Sequence, residues 1–209
     1  MSRYRREVEV GVPHHIVHRG NHRMELFESD DDRRYYLSLL HRFSRVHELR
    51  IAGFCLMTNH VHVIGIPDRL KSLSRCIGVV HRMYSEHLNR RRGAHGSNWE
   101  GRYYSVPMQA AHALNALRYV ERNPVEAGAA TDPVSWTWSS AGHHAGAGQK
   151  WRILNADVRP PEIRDADWRK MLQKRLTEKE LHEIRWAVIS VPSATCVTGG
   201  HLAVPADYR

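Results

Sequence analysis

Two histidines separated by one residue, His60 and His62, lie in the segment Thr58-Asn-His-Val-His-Val63. In a β-strand, residues two apart project from the same face, so the two imidazoles would lie together while Val61 and Val63 point the other way. Imidazole nitrogens are common ligands of divalent metal ions. The pattern indicates a pair of metal ligands. Because the chain contains 16 histidines, two purely structural histidines of a sheet are the alternative.

A phenol and an amide are placed one helical turn apart at Tyr119 and Asn123. Residues i and i+4 of a helix lie on the same side, so a nucleophile and a metal ligand could act there together. The alternative is an aromatic at the edge of the core and a polar residue at the helix end, since Pro124 disfavours helical geometry before it. Arg122 beside them is either a phosphate ligand or a solvated cation.

The elements that must position these residues alternate as β-α-β-β-α-β-α. Apolar residues repeat at helical spacing in the last helix, and Ser29 and Ser72 are the expected N-caps of the first two. The expected strands are His14–Arg19, Leu49–Met57, Val61–Ile66 and Arg102–Pro107, and the last helix is expected at Gln109–Asn123. This order predicts an α+β fold, an antiparallel sheet with helices packed on one face.

Composition narrows the class of partner. The 209 residues carry a net charge of +9, and 26 of the 31 cationic residues are arginine, whose planar fork suits phosphates and base edges. A polyanion is therefore the first partner to consider. No apolar stretch approaches the ~20 residues of a membrane helix and no signal segment is recognisable, so a cytoplasmic location is expected. The three cysteines form no C-x-x-C pair, which excludes a readable zinc ribbon.

The domain organisation is expected to change near residue 145. The glycine-rich segment Gly142-His-His-Ala-Gly-Ala-Gly148 is typical of a linker. Residues 1–145 would form the domain that carries the chemistry. Residues 146–209 would form a C-terminal extension, helical or irregular.

Taken together in order, these motifs resemble the HUH single-tyrosine transposases, and most closely the REP-associated tyrosine transposases. The resemblance covers roughly residues 12–145. It depends on five segments in the right order: Arg19-Gly-Asn21 with Phe27, His60-x-His62, Trp99-Glu-Gly-Arg-Tyr-Tyr104, Tyr119 to Gly128, and Trp138-Ser-Ser140.

The resemblance implies a fold, a reaction and roles for four residues. The fold would be the ferredoxin-like HUH nuclease fold. His60 and His62 would be the histidines of the HUH motif, Asn123 the third metal ligand and Tyr119 the nucleophile. With Mg²⁺ or Mn²⁺, such enzymes cleave and rejoin single-stranded hairpin DNA of the REP type through a 5′-phosphotyrosine intermediate that leaves a free 3′-OH. A phenol is a poor nucleophile at pH 7, and the ion offsets charge on the phosphoryl oxygens.

DNA contacts are expected where cations adjoin aromatic residues, because phosphates need positive charge and bases stack on rings. The candidates are Arg90, Arg91, Arg92, Arg102, Tyr103, Tyr104 and Arg122. A solvated helix end and core aromatics are the alternative. Trp136 and Trp138 are expected to pack on the sheet, and His14, His15, His18 and His22 to be polar residues of the sheet face.

The family's pattern is not followed everywhere. Thr58 replaces a frequent proline, and the end of the chain has few cations where relatives carry a basic tail, so a truncated extension is expected. By analogy a monomer is favoured, with a homodimer as the alternative. A catalytically inactive hairpin-binding regulator is the second functional hypothesis. A zinc hydrolase using His60, His62 and another histidine is the third, although no H-E-x-x-H helix is present.

Overall fold

A computed structural model of the protein describes residues 7–148 and 150–189. It contains a four-stranded sheet in the order β2-β3-β1-β4, with each neighbouring pair antiparallel. This is the ferredoxin-like strand order, and the α+β class is confirmed. The elements are β1 (His14–Arg19), α1 (Asp30–Val46), β2 (Leu49–Leu56), β3 (His60–Pro67), α2 (Ser72–Arg92), β4 (Tyr104–Pro107), α3 (Ala110–Glu126), α4 (Ala141–His144), α5 (Asp165–Gln173) and α6 (Glu178–Ile189). The chain end expected to be truncated lies outside the described residues.

Helices cover both faces of the sheet, and the expectation of helices on one face is corrected. On β3, Val61 and Val63 belong to the core formed with α1 and α2. Ile64 belongs to a second core, which contains Ala116 and Leu117 of α3. In a β-α-β-β-α-β unit both connecting helices pack on one face. The other face of this sheet must therefore be covered by a later helix, and α3 fills that place.

The N-terminus of α1 is capped as expected. Ser29 and Asp32 form a capping box, in which Ser29 Oγ accepts from the Asp32 N–H and the Asp32 carboxylate accepts from the Ser29 N–H. The expectation for α2 was wrong by one position. Lys71 is its N-cap, and Ser72 Oγ instead accepts from the N–H of Arg69 at 3.1 Å.

The last helix of the sheet domain is longer than the sequence indicated. α3 continues through the buried Pro124 to Glu126, and the Ala127 N–H closes it on the carbonyl of Asn123 at 3.0 Å. Proline removes its own N–H from the helix and crowds the carbonyl four residues earlier, and the packing of the buried Pro124 offsets these costs here. Asn123 is therefore held in regular helical geometry.

The glycine-rich segment is not a simple linker. Its first residues form α4, in which Gly142 and His144 are buried. Residues just before and after it cover the edge of β2: the Leu56 N–H donates to the carbonyl of Trp138 at 2.8 Å, and the Asn155 N–H to that of Ile51 at 3.1 Å. Trp138 packs in the sheet core, as expected. The division of the chain at residue 145 stays a proposal.

A chain of buried polar groups lies beneath the first two helices. Tyr36 Oη is 3.0 Å from His81 Nε2, His81 Nδ1 is 2.8 Å from His18 Nδ1, and His18 Nε2 is 3.3 Å from the carbonyl of Glu100. Hydrogen bonds can run in one direction through this chain, from Tyr36 to Glu100, only when both imidazoles are neutral. Burial, followed by the charge of His18, lowers the pKa of His81 well below its ordinary value.

Among the described helices, none is both long and apolar enough to cross a lipid bilayer.

Candidate active site

The two histidines of β3 share the face of the sheet that α3 covers. In the ladder with β1, His60 is opposite Arg19 and His62 is opposite Val17. Their ring centroids are 5.0 Å apart, and the ring planes are nearly perpendicular at 83°. His62 is buried, whereas His60 is half-buried. The strand geometry thus brings both imidazoles together at one end of the sheet.

The helix α3 adds a phenol and an amide to this pair. The Tyr119 ring lies 5.7 Å from the His62 ring, at 89° to it. Asn123 Oδ1 is 3.3 Å from His60 Nε2. All four residues singled out from their spacing therefore meet in one place.

Nδ1 of each histidine lies within hydrogen-bonding distance of a neighbouring side chain. Both nitrogens of His60 face amide oxygens that can only accept, Nδ1 at 2.7 Å from Asn59 and Nε2 at 3.3 Å from Asn123. A neutral ring carries one proton, and the shorter contact places it on Nδ1. His62 Nδ1 lies 3.0 Å from His15 Nε2. His60 consequently presents the lone pair of Nε2 towards Asn123.

Both imidazoles are neutral at physiological pH. Burial lowers the pKa of His60 to about 4, and the positive charge of Arg19 acts in the same direction. Burial also holds the pKa of His62 well below 6.5, and the neighbouring His60, His15 and Arg19 add to this effect. A neutral imidazole is the form that binds a metal ion.

The donor set fits a divalent ion bound by mixed ligands. Two imidazole nitrogens and one amide oxygen can converge there, and carbonyl oxygens suit Mg²⁺ and Mn²⁺. Within residues 7–148 and 150–189, no group of three or more His, Cys, Asp or Glu side chains is placed to hold a metal. Asn123 Oδ1 is the amide oxygen that could accompany His60 and His62 as a ligand.

A buried carboxylate fixes α3 between the two site residues that the helix carries. Glu121 is fully buried and lies two residues from both Tyr119 and Asn123. Its Oε1 is 2.5 Å from Ser140 Oγ and from His144 Nδ1, and its Oε2 accepts from Trp168 Nε1 at 2.8 Å. These bonds anchor the helix to α4 and α5.

Comparison with known proteins decides the family. Residues 10–123 match the sequence model described as "Transposase IS200 like". This chain belongs to the IS200-like transposase family. The matched segment exceeds half of the chain and contains all four site residues. No curated protein matches the sequence.

A solved structure shares the fold of this IS200-like transposase. It is described as the structure of a REP-associated tyrosine transposase bound to a REP hairpin. The two chains are 19% identical, and the match covers 77% of this chain and 94% of that one with a TM-score of 0.55. At this identity the likeness establishes the HUH fold.

The three arginines at the end of α2, Arg90, Arg91 and Arg92, differ in how far internal ion pairs occupy their side chains. Arg91 pairs with Asp32 and Glu28, and Arg92 pairs with Glu28 at 2.5 Å. The pKa of Asp32 falls to about 2, since its hydrogen bonds, led by that from Arg91, outweigh the opposing effect of burial. Arg90 is exposed, and no ion pair of it is found among the described residues. Arg90 is thus the best placed of the three for a phosphate.

Two of the other candidates for DNA contact are corrected. Tyr103 precedes β4 and is buried in the sheet core, with its ring 6.4 Å from that of His81. Arg122 is also buried, and its guanidinium is bonded to Glu126 and to the carbonyl of Leu172. Tyr103 follows the alternative of a core aromatic, whereas Arg122 is neither the phosphate ligand nor the solvated cation that the sequence indicated. The local sequence carries no signal for those distant partners.

Arg102 and Tyr104 remain on the surface of the transposase. Tyr104 is 40% exposed and pairs with Val17, which in turn pairs with His62. Paired residues in a sheet project from the same face, so Tyr104 stands on the face that carries the histidines. Its position suits stacking with a base beside the site. Arg102 is exposed two residues earlier.

Sequence reasoning missed three residues of the site, namely His15, Asn59 and Glu121. His15 was treated as a polar residue of the sheet face, and the other two were given no role. The alternation of β1 with its register to β3 would have placed His15 near His62, but that register is not readable from the sequence.

Proposed function

We propose that this protein is a metal-dependent single-strand DNA transposase and endonuclease that cleaves and rejoins hairpin DNA of the REP type. The observation that carries this proposal is the meeting of His60, His62, Asn123 and Tyr119 in one place. A phenol beside two neutral imidazoles and an amide oxygen suits phosphoryl transfer. The solved relative described as bound to a REP hairpin supports the choice of substrate.

In the proposed cleavage, Tyr119 Oη forms a bond to the phosphorus, and the bond from phosphorus to the 3′ oxygen breaks. The phenol loses its proton, and the departing 3′ oxygen takes one up, so the products are a 5′-phosphotyrosine and a free 3′-OH. Attack by a 3′-OH on this link reverses the step and restores Tyr119. Because the link conserves the phosphodiester, rejoining needs no ATP.

His60, His62 and Asn123 would hold the divalent ion, proposed as Mg²⁺ or Mn²⁺. Such an ion offsets negative charge that develops on the phosphoryl oxygens. The residues of the chain supply the remaining requirements. Asn59 keeps His60 in the ligating tautomer, and α3 holds the phenol beside the histidines.

The proposed DNA contacts are Arg90, Arg102 and Tyr104, with smaller contributions from Arg91 and Arg92 because of their internal ion pairs. A monomer in the cytoplasm is the proposed working state. The second candidate function is hairpin binding without catalysis, and the intact set of four residues favours the enzyme.

The test uses an end-labelled REP-type hairpin with Mg²⁺ and a denaturing gel. The parent protein is expected to form a covalent adduct that maps to the peptide containing Tyr119. Tyr119→Phe keeps the ring and should bind the hairpin but form no adduct. Tyr35→Phe, in α1 on the other face of the sheet, is the matched control that keeps the reaction. His62→Ala should also bind without cleaving.

Hairpin binding by the parent protein with no adduct under any divalent ion would favour the non-catalytic regulator. An adduct that persists in Tyr119→Phe would show that the nucleophile is another residue.

A further inference from the structure

His15 is a buried histidine in contact with both parts of the proposed site. It lies in β1 and is 2% exposed. Its ring is stacked on that of His62 at 5.2 Å, and it meets the ring of Tyr119 edge-on at 6.1 Å. Among the described histidines, no other one has ring contacts with both His62 and Tyr119.

The hydrogen bonding of His15 is incomplete. Nε2 is 3.0 Å from His62 Nδ1, while Nδ1 is buried and has no hydrogen-bond partner among the described residues. Burial lowers the pKa of His15 to about 4, so the ring is neutral at pH 7. A buried polar atom without a partner opposes folding, and an aliphatic side chain at this position would only transfer the unpaired nitrogen from His15 to His62. The net contribution of His15 to stability is therefore small.

The neighbouring His14 shows the opposite arrangement. It is also fully buried, but both of its ring nitrogens are used: Nδ1 is 2.8 Å from the carbonyl of Val12, and Nε2 accepts from the Glu9 N–H at 3.3 Å. His14 pairs with Gly65 in the ladder and projects from the other face. His14 thus has the contacts of a structural histidine, and His15 does not.

Only one placement of protons lets His62 act as a ligand through Nε2. His62 must then carry its proton on Nδ1, and this N–H donates a hydrogen bond to Nε2 of His15. The proton of His15 is then on Nδ1. The opposite placement puts a proton on Nε2 of His62 and removes the lone pair. Nδ1 of His15 is unpaired in either placement, so the choice between the two depends on the lone pair that His62 needs as a ligand.

We infer that His15 is a positioning residue for the metal ligand His62. By accepting a hydrogen bond from Nδ1–H of His62, it fixes the ring and the tautomer of His62 and directs Nε2 towards the space beside Tyr119 and Asn123. Asn59 does the same for His60 through its 2.7 Å contact. Such partners of ligating histidines tune metal affinity. This inference rests on the proposed function, because it requires His62 to be a ligand.

The test measures the affinity for Mn²⁺ alone, from the electron paramagnetic resonance signal of the free ion. His15→Leu should weaken Mn²⁺ binding by about 10- to 100-fold. His15→Gln keeps an acceptor near the original position of Nε2 and should recover most of that loss. Thermal stability of His15→Leu should stay near that of the parent, because the unpaired nitrogen moves from His15 to His62. His14→Leu is the matched control and should lose stability while keeping Mn²⁺ affinity.

The outcomes separate this inference from the proposed function. If the parent binds Mn²⁺ through His62 and the folded His15→Leu variant binds it equally well, the positioning role is wrong and the proposed function stands. If Mn²⁺ affinity depends on His15 but the parent forms no adduct with hairpin DNA, the positioning role stands and strand transfer is wrong. Equal losses in His15→Leu and His15→Gln would show that shape, not the hydrogen bond, is what His62 needs, and would also overturn the inference.

Discussion

The carboxylate of Glu121 is predicted to control both the stability of the protein and the placement of its nucleophile. Three donors converge on its two oxygens, from Ser140, His144 and Trp168. Glu121→Gln keeps the volume but replaces one acceptor oxygen with an NH₂ group that faces donors. Hydrogen bonds to a charged group contribute about 1.5–3 kcal/mol each, and a buried unpaired donor costs about 1–3 kcal/mol. Losing one such bond and gaining one unpaired donor gives a destabilisation of about 2.5–6 kcal/mol.

The assay is thermal unfolding followed by circular dichroism. For a protein of this size, about 1 kcal/mol corresponds to about 2–4 °C, so Glu121→Gln should lower Tm by about 5–24 °C. The matched control is Glu86→Gln, which breaks only the exposed pair with Arg82 and should change stability by less than about 1 kcal/mol. Since Glu121 lies between Tyr119 and Asn123, adduct formation by the folded variant should also slow. A Tm within 2 °C of the parent would refute the argument that this carboxylate anchors α3.

Three further predictions concern charge, pH and packing. Arg90→Ala should reduce by about 0.7 the slope of the logarithm of hairpin affinity against the logarithm of salt concentration. Arg91→Ala should mainly lower Tm, because the ion pair with Asp32 is lost. An unchanged slope for Arg90→Ala would place the DNA elsewhere. Because burial lowers the pKa of His81, the neutral ring stabilises the fold fully above the unfolded pKa of about 6.5, and this stabilisation is lost as the pH falls towards the folded pKa. The free energy of unfolding, measured in urea, should therefore decrease from pH 7 to pH 5. A constant free energy of unfolding would contradict a neutral His81. In Gly53→Ala, the new Cβ would overlap Leu117 Cδ1, and the substitution should cost about 1–3 kcal/mol. The control Gly78→Ala, on the exposed side of α2 with no atom within 4 Å, should stabilise the protein by about 0.5–1 kcal/mol. Equal Tm changes in the two variants would contradict the close contact of β2 with α3.

The parts of the site that the sequence predicted are those set by local geometry. The two-residue period of a strand places His60 with His62, and the helical turn places Tyr119 with Asn123, whatever surrounds them. That the two pairs meet depends on the face that α3 covers. This face is decided by packing, including the close approach of Leu117 to Gly53, where β2 also contains a register irregularity. Helical periodicity alone identifies an apolar stripe but not the surface it will cover.

The errors arise where a distant partner overrides a local preference. Arg122 was expected at the surface, and its partners include the carbonyl of Leu172, fifty positions later in the chain. Arg91 is paired with Asp32 across the contact between α1 and α2. Pro124 was expected to end a helix that packing extends by three residues beyond Asn123. In each case the sequence states the chemistry of the side chain, and the tertiary structure decides its use.

The anchoring of α3 has a consequence for how far the protein can be shortened. The segment that matches the family ends at Asn123 and already contains every proposed catalytic and metal-binding side chain. A fragment ending there would lack all three donors to Glu121, and it would leave the hydrogen-bonding edge of β2 uncovered where Trp138 and Asn155 now pair with it. The last residue proposed to act in the reaction therefore precedes, by several helices, the last residue needed to complete the fold. The smallest active piece should extend through α5, to about Gln173, some fifty residues beyond the last residue that takes part in the reaction.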